Sequence, residues 1–480
     1  MIELQGVCFS YGTGSPERGG SSGGENAGNL ILKDIDLRIE RGECVILAGR
    51  SGNGKTTLTR VVNGLAPSYY GGTLTGKVLL DGKPLAAMPS WERTRVIGNV
   101  FQDPQSQFFS GELAGEVAFA CENLGFPLAE IRRRADGVIR DMNLERLRGA
   151  PLDRLSSGMM QKVAVASVRA LSPAIYIFDE PSANLDGEES SRLAAILGEL
   201  KQQGHAILIA EHRLSYLMEL ADRILCLERG RIAAAYTPAE LKALPAERRR
   251  ALGLRSPERI DAPRLPAPDA AGGAENSVPA IEARDLSYRT KGAAILSGIS
   301  LRVFPGMIAA ITGRNGAGKT TLGKILCGLV RESGGRVLIR GKAAGLRERS
   351  SAVWYGANNT NTRFIAHSVG EELLLLSPKN EERLESARRV LKRLGLYELR
   401  DAHPATLSGG QKQRLSLACG VLSGRDICIF DEPSSGLDGE GLLMASRCFR
   451  EMAEAGRTVC VITHDQELMG ECCAHGVALD

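Results

Sequence analysis

The 480-residue sequence has no apolar run approaching the roughly 18–20 residues that would span a bilayer. Its first residues, Met1-Ile2-Glu3-Leu4-Gln5, lack the basic and apolar regions of a signal peptide. The expectation is a protein made and kept in the cytoplasm, with any membrane role supplied by a partner. Charge of one sign is also scarce. Sixty Lys and Arg stand against 56 Asp and Glu, and a net +4 is too small to argue for nucleic acid. The eleven cysteines never fall in C-x-x-C spacing. Most, such as Cys44, Cys226, Cys428 and Cys460, sit in apolar strand-like runs and read as small buried thiols in a reducing compartment. The adjacent Cys472 and Cys473 are a weak redox or metal candidate. With 43% apolar and 24% charged residues, the composition is that of a soluble globular protein of two to four domains.

What is present is a phosphate-binding loop, twice. Gly49-Arg50-Ser51-Gly52-Asn53-Gly54-Lys55-Thr56 and Gly313-Arg314-Asn315-Gly316-Ala317-Gly318-Lys319-Thr320 both fit G-x-x-x-x-G-K-[ST]. Glycines let backbone N–H groups converge on phosphate oxygens. The lysine reaches the β- and γ-phosphates and the threonine hydroxyl reaches Mg²⁺. The following helix, expected from Leu58 or Leu322, adds its positive N-terminal end, and Thr57 and Thr321 before it are counted among the nucleotide-binding residues. Apolar runs near Cys44–Ala48 and Met307–Ile311 precede the loops as buried strands. Two such contexts predict a chain that binds two nucleoside triphosphates with Mg²⁺.

Other features recur with the loops. Lys55 and Lys319 are 264 positions apart; Asp179 and Asp431, and His212 and His464, are each 252 apart. The long period points to two complete domains, expected at 1–244 and 279–480, joined by a Pro/Ala/Arg-rich linker at 245–278. The Gly/Ser-rich stretch from Gly12 to Asn29 is expected to be a mobile loop. The second domain opens near Ala280, with Tyr288 taken to match Tyr11. At the end, Arg223 is aligned with Gly476, and Glu228–Thr237 has no counterpart. Either the second domain ends on its last strand or the sequence is shortened.

Each copy has an apolar strand ending in two acids, Asp179-Glu180 and Asp431-Glu432. Ligands sit at such C-terminal strand edges in open α/β sheets. Asp179 and Asp431 are candidates for the Mg²⁺ shell, and Glu180 and Glu432 for orienting or deprotonating the attacking water. His212 and His464 follow late apolar strands at the same offset as the acids and are expected to touch the γ-phosphate. His205, His367, His403 and His475 have no such partner and no assigned role.

Leu407-Ser408-Gly409-Gly410-Gln411 resembles the signature motif of ABC ATPases. With the loops, acids, histidines, Ser182–Asp186 and Ser434–Asp438, the resemblance covers nearly the whole chain. It implies an α/β fold: two P-loop NTPase domains in tandem, each with a RecA-like core, an antiparallel β subdomain and a helical signature subdomain. It also implies that the domains face each other head to tail, each ATP lying between one domain's phosphate loop and the other's signature. Tyr11 and Tyr288 would join the nucleotide sites. The first site would unite Lys55, Gln102, Asp179, Glu180 and His212 with Ser408, Gly409, Gly410 and Gln411. The second would unite Lys319, Asn358, Asp431, Glu432 and His464 with Ser156 and Gly158. Val100–Phe109 is similar to the Q-loop of energy-coupling-factor and cobalt-type importer ATPases, which implies that Gln102 senses Mg²⁺ and the attacking water. The residues from Gln102 to Phe109 would then touch coupling helices of integral membrane subunits, at the cytoplasmic face, with a separate membrane protein binding a vitamin or metal ion.

Departures from the pattern converge on the second site. The first signature reads Leu155-Ser156-Ser157-Gly158-Met159, with a Cβ at Ser157 expected to obstruct phosphate approach and Met159 in place of glutamine. Counting back from the shared Glu116 and Glu372 places Asn358 where the first copy has Gln102, one methylene shorter. The first site is therefore expected to carry most turnover. Other readings are a tandem ATPase acting on ribosomes, whose linkers are long, charged and helical, and a tandem ATPase of sugar importers.

Overall fold

The computed structural model describes residues 1–12, 30–261, 263, 265–267, 278–290, 293–358, 364–375 and 380–479. The Gly/Ser stretch expected to be mobile, most of the Pro/Gly-rich end of the expected linker, and the tail of the second Q-loop lie outside the described residues. The chain divides into two units, Met1–Arg259 and Ile260–Asp480.

The first unit contains β1 (Ile2–Ser10), β2 (Leu32–Ile39), β3 (Cys44–Ala48), β4 (Thr73–Leu80), β5 (Lys83–Pro84), β6 (Ile97–Val100), β7 (Ile175–Asp179), β8 (Ala206–Ala210), β9 (Arg223–Glu228) and β10 (Arg231–Tyr236). The second contains β11 (Ile281–Thr290), β12 (Ala293–Val303), β13 (Ile308–Gly313), β14 (Gly334–Ile339), β15 (Lys342–Ala343), β16 (Val353–Gly356), β17 (Ile427–Asp431), β18 (Thr458–Ile462) and β19 (His475–Leu479). Each unit has an antiparallel sheet, ordered β2-β1-β4-β5 or β12-β11-β14-β15. Each also has a central sheet, ordered β10-β9-β3-β8-β7-β6 or β16-β17-β18-β13-β19. Strands β3, β8, β17 and β18 are buried along their whole length, as a parallel sheet covered on both faces requires. Helices Leu113–Asn123, Leu128–Asp141 and Ser157–Arg169 form the helical part of the first unit. Val369–Glu372, Glu381–Arg393 and Gly409–Leu422 form that of the second.

Strand register decides which residues of the two halves are equivalent. Ile97 pairs with Ile175 and Val353 with Ile427. Past the Q-loop, Glu116 accepts hydrogen bonds from the Phe109 and Ser110 amides, and Glu372 accepts them from Ile365 and Ala366. The same offset holds before and after the loop, so Asn358 stands at the position of Gln102.

Two sequence alignments and one boundary need correction. Phe9 pairs with Leu32 as Tyr288 pairs with Leu296, so Tyr288 corresponds to Phe9 and Thr290 to Tyr11. The Phe9 and Tyr11 positions lie two residues apart, and matching the two tyrosines by type slipped the register by two. At the last strand, Val45 pairs with Arg223 and Ala309 with His475, so Arg223 corresponds to His475, one residue from the expected match. Finally, the linker does not begin at residue 245. The helix Ala246–Ala251 leads into Leu252, Leu254 and Arg255, all buried in the first unit. On the other side of the boundary, the Pro266 carbonyl accepts from the Gly476 amide within the second unit.

Candidate functional site

Each phosphate loop is built by backbone that only glycine tolerates. Gly49 has φ 127°, and a Cβ there would lie 2.5 Å from the Leu227 carbonyl oxygen. Gly54 and Gly318 take φ 97° and 91° immediately before the helices Lys55–Val62 and Lys319–Leu326. The lysines fold back over their own loops. Lys55 Nζ donates to the Gly49 and Arg50 carbonyls at 2.9 and 3.1 Å, and Lys319 Nζ to those of Gly313 and Arg314 at 2.8 and 2.9 Å. Both ammonium groups are nearly buried and already at the loop. Arg50 also donates to the Ala251 carbonyl, and Asn53 to that of Leu227.

The structure brings the threonines to the acids. Thr56 Oγ1 donates to Asp179 Oδ1 at 3.0 Å and Thr320 Oγ1 to Asp431 Oδ2 at 2.8 Å. Burial pushes the Asp179 carboxyl up to about 7, with the Glu180 charge adding to it. Burial also raises Asp431, against the pull of hydrogen bonds from Tyr355 and Thr320. Asp431 Oδ1 is buried and has no hydrogen-bond partner among the described residues. Buried carboxylate oxygens beside a threonine hydroxyl and a phosphate loop fit a hard divalent cation such as Mg²⁺. When bound, that ion would supply positive charge to the phosphate oxygens.

Glu180 and Glu432 follow these strands with φ 45° and 50°, a left-handed conformation that costs a residue with a Cβ about 1–3 kcal/mol. Their amides are fixed alike, donating to the Ala210 and Ile462 carbonyls at 2.8 Å. Their carboxylates are not. Glu180 accepts from Gln102 Nε2 at 2.8 Å and faces His212 Nε2 at 3.4 Å. Ser51 Oγ of the phosphate loop lies 3.5 Å from the same histidine nitrogen. Glu432 instead faces His464 Nδ1 at 2.9 Å and accepts from Thr463 Oγ1 at 3.3 Å. Among the described residues, no hydrogen bond joins Asn358 to Glu432.

The signatures open helices. Ser156 and Ser408 are N-caps. In the second unit Gln411 completes a capping box, its Oε1 accepting from the Ser408 amide at 2.9 Å. Met159 cannot return that bond in the first. The Ser157 hydroxyl is turned onto its own unit, donating to the Asn184 carbonyl at 3.1 Å. A Cβ at Gly158 would collide with the Glu189 carboxylate, which caps the helix from Gly187. Tyr11 directs its hydroxyl to Thr57 Oγ1 and Arg60. Tyr288 packs against the core of the second unit's antiparallel sheet, and as the counterpart of Phe9 it leaves the expected nucleotide contact to no aromatic at the Tyr11 position. A cleft of about 640 Å³ lies between the helix Lys55–Val62 and the Q-loop, lined by Thr56, Arg60, Tyr70, Gln102 and Phe109 among others.

Sequence reasoning missed Glu211 and Tyr355. Buried Glu211 accepts from the amides of Ser182, His212 and Arg213 and from the hydroxyls of Ser182 and Tyr216. It thereby ties Ser182 to the histidine loop. Its position before His212, where the second copy has Thr463, was the available signal.

The sequence profile of the ABC transporter family matches residues 32–183 and 296–435. This chain belongs to the ABC transporter family of ATP-binding proteins. It therefore carries two ABC ATPase domains, which bind ATP. A Treponema denticola relative named as a candidate ABC transporter ATP-binding protein is 38% identical over 485 residues, covering 100% of this chain and 95% of the relative. A Bacillus subtilis relative, YkoD, named as a candidate HMP/thiamine import ATP-binding protein, is 31% identical over 98% of this chain and 87% of its own length. A structure of ribosome-bound archaeal Pelota and ABCE1 superposes with a TM-score of 0.67 at 22% identity, over 93% of this chain and 74% of that one, a likeness of fold. No described helix of this family member is long and apolar enough to cross a membrane.

Proposed function

We propose that this chain is the ATP-hydrolysing subunit of an importer of the energy-coupling-factor type, moving a vitamin or metal ion. The observation that carries the reading is the cleft beside Gln102, bordered by the exposed Phe109 ring, at the segment read from sequence as facing a membrane partner's coupling helices. The relation to YkoD supports an import role. Gln102 bonds Glu180, so a displacement of the Q-loop by a partner reaches the water-activating carboxylate through one hydrogen bond.

In this reading the two units close head to tail on two ATP molecules, because ATP contacts both only in the closed state. The phosphate loops, Lys55 and Lys319 bind and orient the phosphates. Glu180 and Glu432 take the proton of the attacking water, and His212 and His464 hold those carboxylates and meet the γ-phosphate. The first site carries most of the turnover. Co-purification tests the partner class: small integral membrane proteins support the reading, and ribosomes without them overturn it. Cysteines at Ser51 and Ser408 test the closure; crosslinking should require ATP, and its failure in the assembled complex would remove the head-to-tail arrangement.

A further inference from the structure

The halves differ under the metal-side aspartate in two positions at once. By register, Tyr355 on β16 stands where the first half has Asn99 on β6. By the offset of the phosphate loops, Gly323 stands where the first half has Thr59. These two changes touch each other. A Cβ on Gly323 would come within 3.0 Å of Tyr355 Cε2 and 2.8 Å of Ile462 Cδ1. Glycine is a poor helix residue, and here its missing side chain makes room for the phenol ring.

The space is used. Tyr355 donates its hydroxyl to Asp431 Oδ2 at 2.8 Å, the oxygen that Thr320 also reaches at 2.8 Å. Two donors on one oxygen fix the carboxylate's rotation and leave Oδ1, buried and without a protein partner among the described residues, for a cation. In the first half Asn99 turns away to accept from Asn63 Nδ2 at 2.8 Å, and Asp179 accepts from Thr56 Oγ1 at 3.0 Å.

We propose that Tyr355 is a positioning residue of the second nucleotide site, which orients Asp431 toward the divalent cation. The inference rests on the reading of that site as one that holds nucleotide and Mg²⁺. Hydrogen-bond partners of metal ligands typically govern about 10–100-fold in metal affinity. Deleting one hydroxyl from a site that keeps Thr320 belongs near the low end of that range.

The test uses the full chain carrying Lys55→Ala, which disables the first phosphate loop. Mn²⁺ affinity is read by electron paramagnetic resonance with a non-hydrolysable ATP analogue. Adding Tyr355→Phe should weaken Mn²⁺ binding about tenfold, with metal-free melting unchanged. The converse graft, Thr59→Gly with Asn99→Tyr on a Lys319→Ala background, should tighten Mn²⁺ at the first site severalfold and does not depend on how Tyr355→Phe folds. An unchanged affinity in whichever variant melts like its parent overturns the proposal. A Lys55→Ala parent that binds no Mn²⁺ with the analogue overturns the reading of the second site itself.

Discussion

Glu180 and Glu432 leave equivalent strands with the same left-handed backbone, yet different parts of the chain hold their carboxylates. Glu180 is held by Gln102, on the loop beside the cleft, and by His212. Glu432 is held by Thr463 and His464, two consecutive residues of one loop. The residue at the Thr463 position in the first half is Glu211, which cannot donate to a second carboxylate and is spent on Ser182 and Tyr216. The comparison teaches that duplication preserved the backbone frame while the side-chain supports diverged. The first carboxylate is bonded to the loop beside the cleft, and the second is supported locally.

The largest effect expected from this difference is in turnover. Glu180→Gln should lower steady-state ATPase of the assembled complex by about a hundredfold or more, the scale of losing a general base. Glu432→Gln should lower it by less than about threefold on the proposed reading, in which the first site carries most of the turnover. Equal losses would break the comparison. Next comes the wiring. A hydrogen bond to a charged group contributes about 1.5–3 kcal/mol, so Gln102→Ala should cost about tenfold or more in turnover. Asn358→Ala, which removes no bond to Glu432, should be close to neutral in the same assay. A comparable loss from Asn358→Ala would show that the second carboxylate also depends on its Q-loop.

The parts legible in the sequence are those whose chemistry fixes both residue type and spacing. The loops, the acid pairs and the histidines lie in short contiguous motifs, and counting back from Glu116 and Glu372 found Asn358 because no residue was gained or lost between the strand and that anchor. Residue type alone failed where spacing was loose. Tyr288 was matched to Tyr11 although the ladder pairs it like Phe9. The arginine-rich start of the presumed linker hid Leu252 and Leu254, which are buried. Tyr355 could not be found by reading along the chain, since it meets Asp431 across neighbouring strands and depends on Gly323 in a helix. Nor could the orientation of Ser157: its Cβ suggested obstruction, while its hydroxyl is bonded to Asn184.

The smallest expected effect concerns the signatures. Gln411 and Met159 occupy the same third position of their helices, and both cap serines already receive the amide at that position. The difference is the return bond, from the Ser408 amide to Gln411 Oε1, which a methionine cannot accept. That amide is one of the orphan donors of a helix start, and at an exposed site water replaces the lost acceptor. Gln411→Met should therefore destabilise the second unit by only about 0.5–1 kcal/mol in urea unfolding, at the low end of a single hydrogen bond. The reverse change, Met159→Gln, is not its mirror. Met159 packs against the core of the first unit, so restoring the box there gives up apolar contact and the net change should be near zero. A large gain from Met159→Gln would mean that the first signature is held back by its missing cap, and stability would then join side-chain wiring as a cause of the inequality between the halves.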